Sequence, residues 1–107
     1  MAWSVEYLNE VVEQELDELP ADIRARFIRI STLIIENGLL NVGMPYLRHL
    51  HGPLWEMRMR GKDGIARAIF VTVSVERVVV VRAFVKKTQK TPIQEIRLAL
   101  ARSKGLK

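Results

Sequence analysis

Seven cations in the second half of this 107-residue chain are of a type and number to bind phosphate: Arg58, Arg60, Arg67, Arg82, Lys86, Lys87 and Lys90. Converged on one face of a sheet they would form an anion site, and arginine's planar fork suits two-point contact with phosphate oxygens. Were the ligand an RNA attacked by its own ribose 2′-hydroxyl, negative charge would gather on the phosphoryl oxygens. Fixed guanidiniums would oppose that charge without a metal. Arginine cannot serve as the base, so proton transfer needs another group. Crowding by cations lowers a lysine's pKa, which makes Lys86 or Lys87 a candidate, with Glu56, His49 and His51 as alternatives. The plainer reading is that Arg58 and Arg60 solvate an exposed strand face, as most alternating strands do.

Other chemistries are poorly served. The chain has no cysteine, which removes thiolate nucleophiles, disulfides and cysteine-ligated zinc or iron–sulfur centres. His49 and His51 lie two apart, a chelating spacing, but no carboxylate or third histidine accompanies them nearby. No metal and no cofactor are expected. Trp55 is in phase with Met57 and Met59 and reads as core, whereas Phe84 fits a base-stacking surface or a buried strand equally well. Neither a phosphate loop, a dinucleotide fingerprint nor a nucleophile elbow is present.

Charge is distributed unevenly. Residues 1–53 hold four arginines against eight acids, a net of −4, and residues 54–107 hold 13 lysines and arginines against four acids, a net of +9. Such polarity favours a polyanionic ligand or an acidic partner over a neutral one. At this length and with 49% hydrophobic residues, one globular domain spanning 1–107 is expected. The first residues lack the basic and apolar regions of a secretory signal, and no apolar run approaches the roughly 18 residues that cross a bilayer. The expectation is a cytoplasmic protein with no membrane partner.

The elements that must position the cations follow from periodicity. Trp3, Val5 and Tyr7 alternate as a short strand does, and Leu8, Val11, Val12, Leu16 and Leu19 step as an amphipathic helix ended by Pro20. Ile23, Phe27, Ile30 and Ile34 continue a second helix to Asn37-Gly38. Residues 39–53, with Gly43, Pro45, Gly52 and Pro53, read as a loop. Leu54–Arg60 alternates with period two, Gly61-Lys62-Asp63-Gly64 closes a hairpin, Ile65–Val75 is a second strand, and Val78–Val85 is apolar on both faces as a central strand is. Pro92 opens a last helix with Ile93, Ile96 and Leu100 inward. The predicted fold is α+β: a small, mainly antiparallel sheet of an N-terminal strand and a three-stranded meander, with a helical hairpin and a C-terminal helix gathered on one face. The other face would carry Arg58, Arg60 and, depending on pleat, Arg67 and Lys86.

One resemblance covers nearly the whole chain. Pro45-Tyr46-Leu47-Arg48-His49-Leu50, Leu54-Trp55-Glu56-Met57-Arg58, Arg67, and Phe84-Val85-Lys86-Lys87-Thr88-Gln89-Lys90-Thr91-Pro92 followed by Glu95-Ile96 resemble the phage-derived Gp49-like branch of the HigB toxins, within the RelE/ParE superfamily. The resemblance implies a RelE-like fold and the toxin of a type II toxin–antitoxin system, an endoribonuclease that enters the ribosomal A site, cuts mRNA and arrests translation and growth. It implies as partners the ribosome, mRNA and a cognate antitoxin with a helix-turn-helix domain, through which alone operon DNA is touched. Position by position, the basic residues of the first long strand fall on Arg58 and Arg60, that of the next strand on Arg67, and those ending the last strand on Lys86 and Lys87. The catalytic expectation is therefore Arg58, Arg60, Arg67 and Lys86, with Lys87, Arg82, Lys90 and Phe84 binding RNA. Many RelE-type toxins carry a tyrosine near that end, whereas this chain has Phe84 there and no tyrosine after Tyr46. Two rival readings are a ParE-like inhibitor of DNA gyrase and a non-catalytic binding module.

Overall fold

The computed structural model describes residues 2–43, 45–62, 64–74, 76–87 and 90–106. The chain runs β1 (Ser4–Tyr7), α1 (Glu10–Asp17), α2 (Ala21–Asn37), a 3-10 turn (Leu39–Asn41), β2 (Leu47–His51), β3 (Leu54–Gly61), β4 (Gly64–Val73), β5 (Arg77–Lys86) and α3 (Ile93–Ser103). Strands β2 to β5 form an antiparallel meander, and β1 joins its far edge in parallel with β5, giving the order β1-β5-β4-β3-β2. Val75, expected at the end of the second strand, and Asp63 of the hairpin turn lie outside the described residues.

Local chemistry accounts for the helix ends. The Asn9 side chain caps α1 by accepting the Val12 N–H at 3.1 Å. Pro20 ends that segment and opens the next, its carbonyl accepting the Arg24 N–H at 2.9 Å. Gly38, at φ +84°, terminates α2 in a conformation few other residues adopt, with Trp3 packed beside it. Helices α1 and α2 bury Val12, Leu16, Ile23, Ile30 and Ile34 against Met57, Met59, Ala66, Ala68, Phe70, Val78, Val80 and Ala83 of the sheet. Each fully buried large side chain contributes about 1.5–3 kcal/mol, so this face holds the main core.

Two expectations are corrected. The 39–53 segment is not all loop, because Leu47–His51 is an edge strand on β3, with a register shift between His49 and His51. Nor are the helices gathered on one face. Helix α3 packs on the opposite side, where Ile96, Ala99 and Leu100 meet Leu54, Ile69, Val71, Val79 and Val81. A strand as apolar as β5 needs cover on both faces, and α3 supplies the second.

A bulge in β5 sets which side chains share the remaining surface. Ile69 pairs with Arg82 and Phe70 with Val80, leaving Val81 as an extra residue. Before it, Val78 and Val80 face α1 and α2; after it Ala83 does, while Arg82, Phe84 and Lys86 join Arg67 on the α3 side. Beyond the reach of β1, the outer edge of β5 is met by side chains. Glu15 Oε1 accepts the Ala83 N–H at 3.2 Å, and Arg102 Nη1 donates to the Val81 carbonyl at 2.9 Å. Those two side chains are themselves paired at 2.9–3.0 Å.

Candidate functional site

Strand β2 leaves β3 at Leu47, opposite Met57, and the preceding carbonyl of Tyr46 accepts the Arg58 N–H at 2.7 Å. Beyond that bond the Arg58–Gly61 stretch is an open edge. A cleft of about 340 Å³ forms around it, lined by Arg58, Arg60 and Arg67 from the sheet, Pro45 and Tyr46 from the lead-in to β2, and Arg26 from α2. Register explains the convergence: Arg58 stands directly opposite Arg67, and Arg60 opposite Ile65, whose other neighbour is Lys86.

Arg67 lies at the floor, 3% exposed, with the 2% exposed Glu56 beside it. Their closest approach is 3.6 Å, from Arg67 Nε to Glu56 Oε1. Arg67 Nη1 donates to the Ala66 carbonyl at 3.0 Å, and its Nε makes no hydrogen bond among the described residues. Burial pulls the Arg67 guanidinium below its usual pKa; Glu56 opposes the shift, and Arg58, Arg60 and Arg48 add to it. Lys86, also buried, is lowered from its ordinary 10.5 by burial first and then by Arg67, Arg58 and Arg48, with Glu56 again opposing. One carboxylate thus sits among five cations, and the local field is strongly positive.

Glu56 has a second bond, accepting the Thr91 hydroxyl at 2.7 Å. This ties the segment leading into α3 to the floor of the cleft. On its far side a cavity of about 240 Å³ is lined by Arg48, His49, Leu50, Glu56, Lys90 and Thr91. The carboxylate expected among the proton carriers is therefore enclosed, with both oxygens engaged by Arg67 and Thr91.

The remaining expected residues divide. Lys87 is exposed just past β5, Lys90 is exposed beside the second cavity, and Thr88 and Gln89 lie outside the described residues. His49 is exposed, its Nε2 2.8 Å from the Gly52 carbonyl and its ring edge-on to Trp55 at 5.1 Å. Trp55 packs against the main core, and His51 is exposed at the end of β2. Arg82, expected to contact RNA, is engaged by two carboxylates. Its Nε and Nη2 bond Glu95 at 2.6 and 3.1 Å and its Nη1 lies 2.9 Å from Glu15, so it clamps α1, β5 and α3 together. Phe84 is half-buried against the second core, with Arg82 Cζ 5.5 Å from its ring centroid. Among the described residues, no three histidine or carboxylate side chains are grouped as a metal would need. Arg26, Tyr46 and Thr91 enter the site without a signal in the local sequence pattern, since each arrives from a separate part of the chain.

The class is thus a small α+β domain: a five-stranded sheet with two helices on one face, a third on the other, and an arginine cleft at its open edge. Residues 14–104 match the family of the phage-derived protein Gp49-like, and the chain belongs to it. Among solved structures, a mutant E. coli toxin RelE in the free state superimposes with a TM-score of 0.63 at 14% identity, over 95% of this chain and 98% of that one. The archaeal RelE–RelB complex from Pyrococcus horikoshii gives a TM-score of 0.49 at 19% identity, over 78% and 93%. No curated protein matches significantly. The fold is RelE-like, on a Gp49-like sequence.

Proposed function

We propose that this protein is the toxin of a toxin–antitoxin pair, a metal-independent, ribosome-dependent mRNA endoribonuclease. The observation that carries the reading is the Arg58–Arg60–Arg67 cleft, with a buried guanidinium at its floor. A desolvated cation is suited to phosphoryl oxygens on which charge builds up. Arg58 and Arg60 hold the phosphate from the strand edge, and Arg67 stabilises the charge that develops as the 2′-oxygen attacks. Lys86, with its proton loosened by burial and by neighbouring cations, is the group on this face best prepared to exchange one. Lys87 and Lys90, both exposed after β5, extend the track for the RNA backbone. The cognate antitoxin, the ribosome and mRNA are the partners that this reading requires.

The test is brief induction in a bacterium without the antitoxin, with mapping of new RNA 5′ ends across translated messages. Arg58→Ala is the matched control, because Arg67→Ala would strip the partner from a buried carboxylate and confound function with folding. In-frame cuts within coding regions that disappear in Arg58→Ala are the expected result. Growth arrest with a DNA-damage response and no new ends would replace the reading with gyrase inhibition. No arrest would replace it with a binding module.

A further inference from the structure

We propose that the α2 side of the cleft is a nucleobase site, in which the Tyr46 ring stacks on the base next to the phosphate held by Arg58, Arg60 and Arg67. The inference rests on the RNA reading above and adds to it a site for the base. An anion needs only the guanidinium wall. This cleft has a second wall of different chemistry: Pro45 and Tyr46 on one side and Arg26, projecting from α2, among the same lining residues. Its volume of about 340 Å³ is within the range that accepts a small organic ligand rather than a bare ion.

The aromatic wall is built rather than incidental. Tyr46 is held at both backbone groups, its N–H donating to the Gly43 carbonyl at 3.0 Å and its carbonyl accepting the Arg58 N–H at 2.7 Å. The second bond joins the Tyr46 main chain directly to that of Arg58, so the two side chains start from a fixed backbone spacing at the cleft. Tyr46 is half-buried, packed against the main core and among the residues that line the cleft. A wall of this kind takes the face of any base, and it takes one only after the base has left a helix, so the ligand class is unpaired RNA.

The experiment uses two fluorescent trinucleotide backbones, both 2′-O-methylated so that no 2′-hydroxyl can attack, one carrying bases and the other abasic throughout. Binding is measured by anisotropy at low salt for the full-length wild type, Tyr46→Phe and Tyr46→Leu. The wild type is expected to prefer the base-bearing probe about tenfold, a typical effect for one stacked base. Tyr46→Phe should keep that preference, and Tyr46→Leu should lose it while holding the abasic probe as tightly as the wild type does. The abasic affinity thereby reports an intact fold and phosphate site. Equal wild-type affinity for the two probes, equal weakening of both by Tyr46→Leu, or loss in Tyr46→Phe as large as in Tyr46→Leu would each overturn the base site alone. Failure of the wild type to bind either probe would overturn the base site, while the mapping of new 5′ ends decides the RNA reading separately.

Discussion

Replacing Glu56 by glutamine removes the one negative charge from beneath the cationic cleft while keeping shape and an acceptor for Thr91. At 3.6 Å from Arg67 Nε, that charge offsets about 4–5 kcal/mol of electrostatic cost at an effective dielectric of about 20. Part of this is returned because the carboxylate no longer has to be desolvated, and removal of one partner from a buried pair costs about 3–5 kcal/mol in other proteins. Since glutamine keeps the Thr91 bond, a net loss of about 2–4 kcal/mol is expected. Urea unfolding measures it as a lower midpoint at unchanged slope, a drop of about 1–2 M for a slope of about 2 kcal/mol per molar. A second arm tests the electrostatic cause. With Glu56 neutral, Arg67 loses the carboxylate that offsets Arg58, Arg60 and Arg48, so a divalent anion should bind the folded variant and recover stability by mass action. Sulfate at matched ionic strength should therefore raise the variant's midpoint more than the wild type's. A variant as stable as the wild type, or an identical sulfate increment in both, would refute the view that Glu56 is the counter-charge of the site.

Arg82→Met should cost about 2–4 kcal/mol by opening the contacts to Glu15 and Glu95, yet leave RNA affinity within about twofold where the variant is folded; urea unfolding and anisotropy separate the two. Gly61→Ala would place a Cβ 2.6 Å from Asp22 Oδ2 and 2.7 Å from Ile23 Cγ1, and would disturb the 2.7 Å bond from the Lys62 N–H to Asp22. A loss of about 1–3 kcal/mol by thermal denaturation is expected. For Glu15, burial alone would raise the carboxyl pKa, but Arg102, the Ala83 N–H and Arg82 bring it below its ordinary 4.5. Its contribution is then complete above the unfolded value and disappears as pH falls through the lower folded value. Glu15→Gln should accordingly flatten the acid limb of the stability profile while lowering stability at neutral pH.

Period-two alternation in Leu54–Arg60 revealed β3 and the shared face of Glu56, Arg58 and Arg60, because one side chain in two is a local property of the strand. Strand β2 was hidden for the opposite reason. Its register shift between His49 and His51 breaks the alternation, and Pro45, Gly52 and Pro53 surround it with turn signals. The unbroken apolar run in β5 already implied cover on both faces, but nothing local says that the cover is α3. At the site, Arg58 and Arg60 are legible as neighbours on one strand face, whereas the ion pairs of Arg82 are not. Its partners Glu15 and Glu95 come from α1 and α3, and composition cannot distinguish a paired arginine from one facing solvent. Glu56 was readable as chemistry but not as burial, which follows from Thr91 and Arg67 closing over it.

The cap on the outer edge of β5 bears on how this chain stays out of aggregates. Val78–Val85 is five valines, one charge, an alanine and a phenylalanine, a stretch of high β-propensity that would template cross-β growth if its edge were bare. Past β1 and the Leu8 N–H on the Val80 carbonyl, the Glu15 carboxylate on the Ala83 N–H and the Arg102 guanidinium on the Val81 carbonyl occupy that edge. A charged pair is a costly thing for an incoming strand to displace, which makes it an effective gatekeeper. Loss of either partner would therefore show first in handling rather than in binding: slower recovery from denaturant, thioflavin-positive particles on storage, and a concentration limit that the intact chain does not have.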